Sequence, residues 1–160
     1  MIAVLQRVSS ASVAVAAEGY HAEIGLGLVI LLGVEKGDTE AELAWGAEKS
    51  ANLRIFADAE EKMNLSVKDV GGAALVVSQF TLAGETSKGR RPGFHLAAPP
   101  EDAKRFYERF CELLEKQHGV PVKTGIFQAV MKVTIVNEGP VTFIVQRKTG
   151  VPAESVEKVS

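Results

Sequence analysis

The chain has 160 residues, 46% of them apolar, 24% charged and 6% aromatic, with a formal net charge of -2. That length suits one domain with a sizeable buried core, and the composition excludes a disordered or collagen-like chain. The slight acidity argues against bulk non-specific binding to DNA or RNA, while leaving room for a local basic patch. A single cysteine, Cys111, cannot close an internal disulfide and fits a reducing compartment, so a cytoplasmic location is expected. The opening residues lack the basic, then long apolar, then small-residue order of a signal peptide. The longest apolar run, residues 26–34, falls far short of the roughly 20 needed to span a membrane. A soluble protein with no membrane partner is expected.

Residues 1–8 and 10–16 are rich in Val, Ile and Ala with partial alternation, and predict two strands. Ala17-Glu18-Gly19 predicts a hairpin turn into a third strand over residues 20–24. Residues 27–34 form a continuous apolar run, the pattern of a strand buried on both faces. Its glycines do not make a dinucleotide loop, because Ile30 stands where the third glycine belongs. Thr39 and Glu42 have capping-box spacing, which predicts a helix running to about Leu53 with Leu43, Ala47 and Ala51 on one face. Residues 58–64 are polar and predict a loop, and residues 73–80 predict a further strand entered through Gly71-Gly72.

Pro99-Pro100-Glu101-Asp102 predicts a second helix start, with proline in the first turn and acids at the positive end of the dipole. Ala103, Phe106, Tyr107, Phe110, Leu113 and Leu114 then recur with helical spacing. Gly119 is the expected stop. Residues 132–136 and 141–146 predict two closing strands around Asn137-Glu138-Gly139-Pro140, and the tail from Lys148 predicts an extension with no assigned role. The sum is one α+β domain, its sheet mixed or largely antiparallel, with two main helices.

The three histidines, His21, His95 and His118, are far apart, and no Cys or His pair has zinc-ligand spacing, so no metal or cofactor is expected. A P-loop and a Gly-x-Ser-x-Gly elbow are missing, and nothing points to a Ser-His-Asp triad. Two segments carry more polar detail than a fold requires. In Ser78-Gln79-Phe80-Thr81-Leu82 an apolar strand ends in hydrogen-bonding side chains, followed by a loop with three cations, Lys88, Arg90 and Arg91. Ser78 or Thr81 could serve as nucleophile or orient water, and backbone N–H groups there could form an oxyanion hole. In Asn137-Glu138-Gly139-Pro140-Val141-Thr142, Gly followed by Pro leaves backbone carbonyls approachable, at the one bond type where a cis peptide is common. Each segment also reads as an ordinary strand end or turn.

Together these motifs make the sequence resemble the D-aminoacyl-tRNA deacylases over residues 1–146. The resemblance rests on Gln6-Arg7-Val8, Arg54-Ile55-Phe56, Lys62-Met63-Asn64-Leu65, Ser78-Gln79-Phe80-Thr81-Leu82, Lys88-Gly89 with Arg91-Pro92 and Phe94, and Asn137-x-Gly139-Pro140-Val141-Thr142. It departs from the usual family pattern at Ile126, Val130 and Glu138. The resemblance implies a homodimer with a β-rich, barrel-like core that hydrolyses the ester joining a D-amino acid, or mischarged glycine, to the 3′ end of tRNA. It implies that Gly139 and Pro140 enter the partner subunit's site, with Arg7 and Asn137 supporting them. It further implies that Ser78, Gln79, Phe80 and Thr81 line the scissile ester. Lys88, Arg90, Arg91, Phe127 and Met131 are then expected at the tRNA 3′ end. Two rival readings are a non-catalytic module that clamps acceptor ends and a small-ester hydrolase using Ser78 or Thr81. The domain is expected to span residues 1–147, with residues 148–160 outside it.

Overall fold

The computed structural model describes residues 1–148. The expected extension therefore lies, apart from Lys148, outside the described residues. The architecture is mixed α+β in one domain, with a six-stranded sheet ordered β2-β1-β3-β6-β7 and β8 laid along β1. The strands are β1 (Ile2–Val15), β2 (Tyr20–Ile24), β3 (Gly27–Gly33), β6 (Ala73–Ser78), β7 (Val122–Thr124) and β8 (Lys132–Gln146). A small separate hairpin pairs β4 (Phe56–Ala57) with β5 (Met63–Leu65). The helices are α1 (Glu40–Asn52) and α2 (Pro100–Glu112), the latter extended by a π-helical turn through Gln117.

β1 is antiparallel to β2, β3 and β8, whereas β3–β6 and β6–β7 are parallel. The sheet curls until its two edges meet: the Tyr20 hydroxyl on β2 donates to the Thr124 carbonyl on β7 at 2.7 Å. The result is a nearly closed, barrel-like sheet with both helices outside it. The alternation of strand side chains sorts the core into two clusters. Leu28, Ile30 and Leu32 of β3, with Ala74 and Val76 of β6, face Leu43, Ala47, Ala51, Phe110 and Leu114 of the helical layer. Val29 of β3, with Leu75 and Val77 of β6, face Val8, Val13 and Ile24 inside the curl. β3 is thus apolar at every position because both its faces are buried, as its unbroken apolar run predicts.

The capping box forms as its spacing predicts. The Thr39 side chain accepts from the Ala41 N–H at 3.2 Å, and the Glu42 carboxylate accepts from the Thr39 N–H at 2.8 Å. Three expectations are corrected. Residues 1–8 and 10–16 are one strand, β1, bent by a bulge near Ser9. Residues 132–136 and 141–146 are likewise one strand, β8, in which the Gly-Pro segment bulges without ending the pairing. The expected loop 58–64 is a hairpin turn closed by a bond from the Asp58 N–H to the Lys62 carbonyl at 2.8 Å, and β5 already begins at Met63.

Candidate active site

β6 crosses the core with residues 74–77 buried, and the chain surfaces at Ser78 and Gln79, both half-buried. The Gln79 N–H still donates to the Leu32 carbonyl at 2.8 Å, so pairing with β3 holds one residue past the strand. The chain then closes into a 3-10 turn, Phe80–Ala83. Gly33 permits this: a Cβ there would stand 3.0 Å from the Gln79 carbonyl oxygen and 3.1 Å from the Leu82 Cβ. The Gln79 side-chain amide donates to the Thr81 hydroxyl. The first N–H groups of such a turn have no partner within it, which makes those of Phe80 and Thr81 donors for a bound oxygen.

Next to this turn is a cavity of about 550 Å³. One side is Ser78, Gln79 and Phe80. The rest comes from Val34 and Val77, from Ala97 and Ala98 just before α2 and Pro100 and Ala103 in its first turn, and from the stretch between Phe127 and Val133. The far wall is braced from behind. The Tyr107 hydroxyl donates to the Val76 carbonyl at 2.8 Å, and its ring lies 6.1 Å from that of Phe127. Burial holds the Tyr107 hydroxyl far above its ordinary range, so it stays protonated and serves as a brace. No lining residue carries an ionisable side chain. A serine or threonine nucleophile needs a base within hydrogen-bond reach, and the cavity wall offers none. Cys111 is no substitute, because burial pushes its thiol up to about 12 and it lies outside the lining.

A second constellation lies at the bulge in β8. Gln6 pairs with Thr142 and Val8 with Asn137, so Glu138, Gly139, Pro140 and Val141 stand opposite Arg7 alone. Arg7 Nε donates to the Glu138 carbonyl at 3.0 Å, and Nη1 donates to the Ile55 carbonyl at 2.7 Å. One guanidinium therefore ties the bulge to the segment after α1. The Gly139–Pro140 peptide is cis, and Gly139 has φ +127°, where a Cβ would sit 3.1 Å from Arg7 Nη2. The segment is exposed, as are Val136, Phe143 and, at 71%, Ile144 on the same strand.

The structure thus brings Ser78, Gln79, Phe80, Phe127 and Met131 around one cavity and attaches Thr81 to Gln79. It places Arg7, Asn137, Gly139 and Pro140 together elsewhere, and none of the four lines the cavity of the same chain. Lys88, Arg90 and Arg91 are exposed on the loop beyond the 3-10 turn and form no ion pair among the described residues. The sequence reading missed the carbonyl acceptors of Ile55 and Glu138, because a backbone oxygen carries no residue-type signal. It also missed Ala97, Ala98 and Gln128. The first two could be sought in the small-residue stretch just before Pro99-Pro100, but Gln128, with φ +64°, has no pattern that announces it.

A family model described as D-Tyr-tRNA(Tyr) deacylase matches residues 4–146. A D-aminoacyl-tRNA deacylase of Geobacter sulfurreducens is 59% identical over 149 residues, covering 93% of this chain and 97% of the relative. One from Myxococcus xanthus is 57% identical over 147 residues, covering 91% and 94%. Among solved structures, a c-Myc DNA unwinding element binding protein superposes with TM-score 0.87 at 43% identity, over 93% of this chain and 100% of the other. A probable eukaryotic D-amino acid tRNA deacylase shares the fold with TM-score 0.76 at 20% identity, over 90% and 97%.

Proposed function

This chain belongs to the D-Tyr-tRNA(Tyr) deacylase family, and on that premise we propose that it hydrolyses D-aminoacyl-tRNA at a composite site shared by two copies of the chain. The cavity beside Ser78–Thr81 takes the terminal adenosine, against Phe127 and Met131, and its ester. The Gly139-Pro140 bulge of the second copy closes the cavity from outside, with Arg7 and Asn137 holding the bulge in place. The observation that carries this reading is that the bulge is exposed, braced by Arg7, and absent from its own chain's cavity. The exposed apolar side chains of β8 around it, Val136, Phe143 and Ile144, supply a surface for the second copy.

A backbone wall against the α-carbon discriminates by clash. The two enantiomers exchange hydrogen and side chain at that carbon, so a wall that admits only hydrogen there rejects any L residue whatever its side chain. Glycine has no side chain to reject, so mischarged glycyl-tRNA passes the same filter. Resemblance to the deacylases implies that the terminal ribose 2′-hydroxyl orients the attacking water, and a cavity without an ionisable group suits that assistance. Water adds to the ester carbonyl, and the oxyanion is held by the N–H groups of Phe80 and Thr81, a kind of donor worth about 3–4 kcal/mol in other enzymes. The bond to the 3′ oxygen then breaks, releasing the D-amino acid and restoring the tRNA 3′-hydroxyl. Lys88, Arg90 and Arg91 attract the acceptor-end phosphates. The enzyme works in the cytoplasm, residues 1–147 form the catalytic unit, and residues 148–160 take no assigned part.

Subunit mixing tests the composite site. A Gly139 variant and a Gln79 variant, each inactive alone, should regain activity when dissociated and reassociated together, since each mixed dimer then holds one intact site. Mixtures no better than either parent would contradict the shared site. The small-ester hydrolase reading predicts instead a burst with activated esters and indifference to tRNA, and the binding-module reading predicts tRNA affinity without turnover.

A further inference from the structure

Beyond the cavity, the 3-10 turn leads into a loop with unusual surface chemistry. Residues 85 and 93 are joined by two backbone hydrogen bonds, Glu85 N–H to Gly93 O at 2.7 Å and Gly93 N–H to Glu85 O at 2.9 Å. The loop is thereby tied at its neck, and it presents Lys88, Arg90 and Arg91 outward. Its acid is occupied internally: the Glu85 carboxylate accepts the Ser87 N–H at 2.7 Å, which holds it below the usual carboxylate range. Directly after the neck comes Phe94, 41% exposed and set edge-on to Phe80, with ring centroids 5.1 Å apart. Phe80 is itself 54% exposed and lines the cavity. Phe94 is seated by Gly84, where a Cβ would come within 3.3 Å of its ring.

An exposed, seated aromatic ring beside free cations is what a single-stranded nucleic acid uses, with bases on the ring and phosphates on the charges. The two rings are partly exposed and stack on each other, and the three cations beside them in sequence favour an anionic occupant. The pair is also continuous with the cavity through Phe80, so a strand whose 3′ nucleoside enters the cavity would cross Phe94 as it leaves. We infer that Phe94 and the tied loop form a second nucleotide subsite, in which the base preceding the terminal adenosine stacks on Phe94 and its flanking phosphates lie against Lys88, Arg90 and Arg91. The inference rests on the deacylase reading and adds a residue that acts on binding of the RNA strand and not on the ester.

The test compares two substrates of different length, D-tyrosyl-tRNA and 3′-O-(D-tyrosyl)adenosine, which lacks the preceding nucleotide. For Phe94→Ala, the ratio of kcat/KM on the tRNA to kcat/KM on the nucleoside ester should fall about 5- to 20-fold, carried by KM. Phe94→Tyr should restore the ratio, because the ring face is retained. Binding of uncharged tRNA by the triple variant Lys88→Ala, Arg90→Ala, Arg91→Ala should show a log–log salt slope shallower by about 2. A ratio unchanged in Phe94→Ala with an unchanged salt slope overturns the subsite. An equal loss on both substrates, not rescued by tyrosine, also overturns it, by showing that Phe94 acts only through Phe80. Wild-type protein that hydrolyses neither substrate would instead sink the deacylase reading beneath it.

Discussion

Ser78–Thr81 ends a strand and Glu138–Val141 bulges from one, and the two are built in opposite ways. The first is the end of a strand whose preceding four residues are buried, and its position follows from core packing on both faces of β6. The second lies on an exposed strand, and its position follows from two hydrogen bonds made by one distant side chain, Arg7. A site built outward from the core inherits the rigidity of the fold. A site held by a guanidinium can be altered while the fold stands. The two halves should therefore respond differently to mutation.

The largest separation is expected from Phe110→Ala. Phe110 is fully buried between α2 and the sheet, and the cavity left behind should cost about 3–5 kcal/mol in denaturant unfolding. Activity per folded molecule should persist, since the residue touches neither half of the site. Gly139→Ala should do the reverse. Its φ of +127° and the approach of Arg7 leave no room for a Cβ, so the bulge must shift, and deacylation should fall about 100-fold. Stability should change by only about 1 kcal/mol. Arg7→Lys should have the smallest effect. One ammonium cannot reproduce the fork that reaches both Ile55 and Glu138, so activity should drop about tenfold and the preference for the D ester should narrow. Equal losses of stability in all three variants would erase the distinction between the two halves.

The same contrast decides what the sequence disclosed. β3 was legible because a strand buried on both faces must be apolar throughout. α1 was legible from Thr39 and Glu42, and α2 from the spacing of Ala103, Tyr107 and Phe110, all three buried as expected. These are short-range signals. That residues 132–136 and 141–146 form one long strand, β8, was not legible, because glycine followed by proline is normally a chain break. Only pairing with β1, more than a hundred residues away in sequence, carries β8 through it. The motif residues of both halves could be picked out singly. Their assignment to one cavity and one separate bulge depends on long-range geometry, as does the role of the Ile55 carbonyl.

The most direct test of the account is hydrolysis of D-tyrosyl-tRNA and L-tyrosyl-tRNA side by side, under catalytic amounts of protein. Rapid loss of the D ester and survival of the L ester are expected, since a wall at the α-carbon rejects by clash. Loss of both esters at similar rates would contradict the wall, and loss of neither, with tRNA still bound, would contradict catalysis itself.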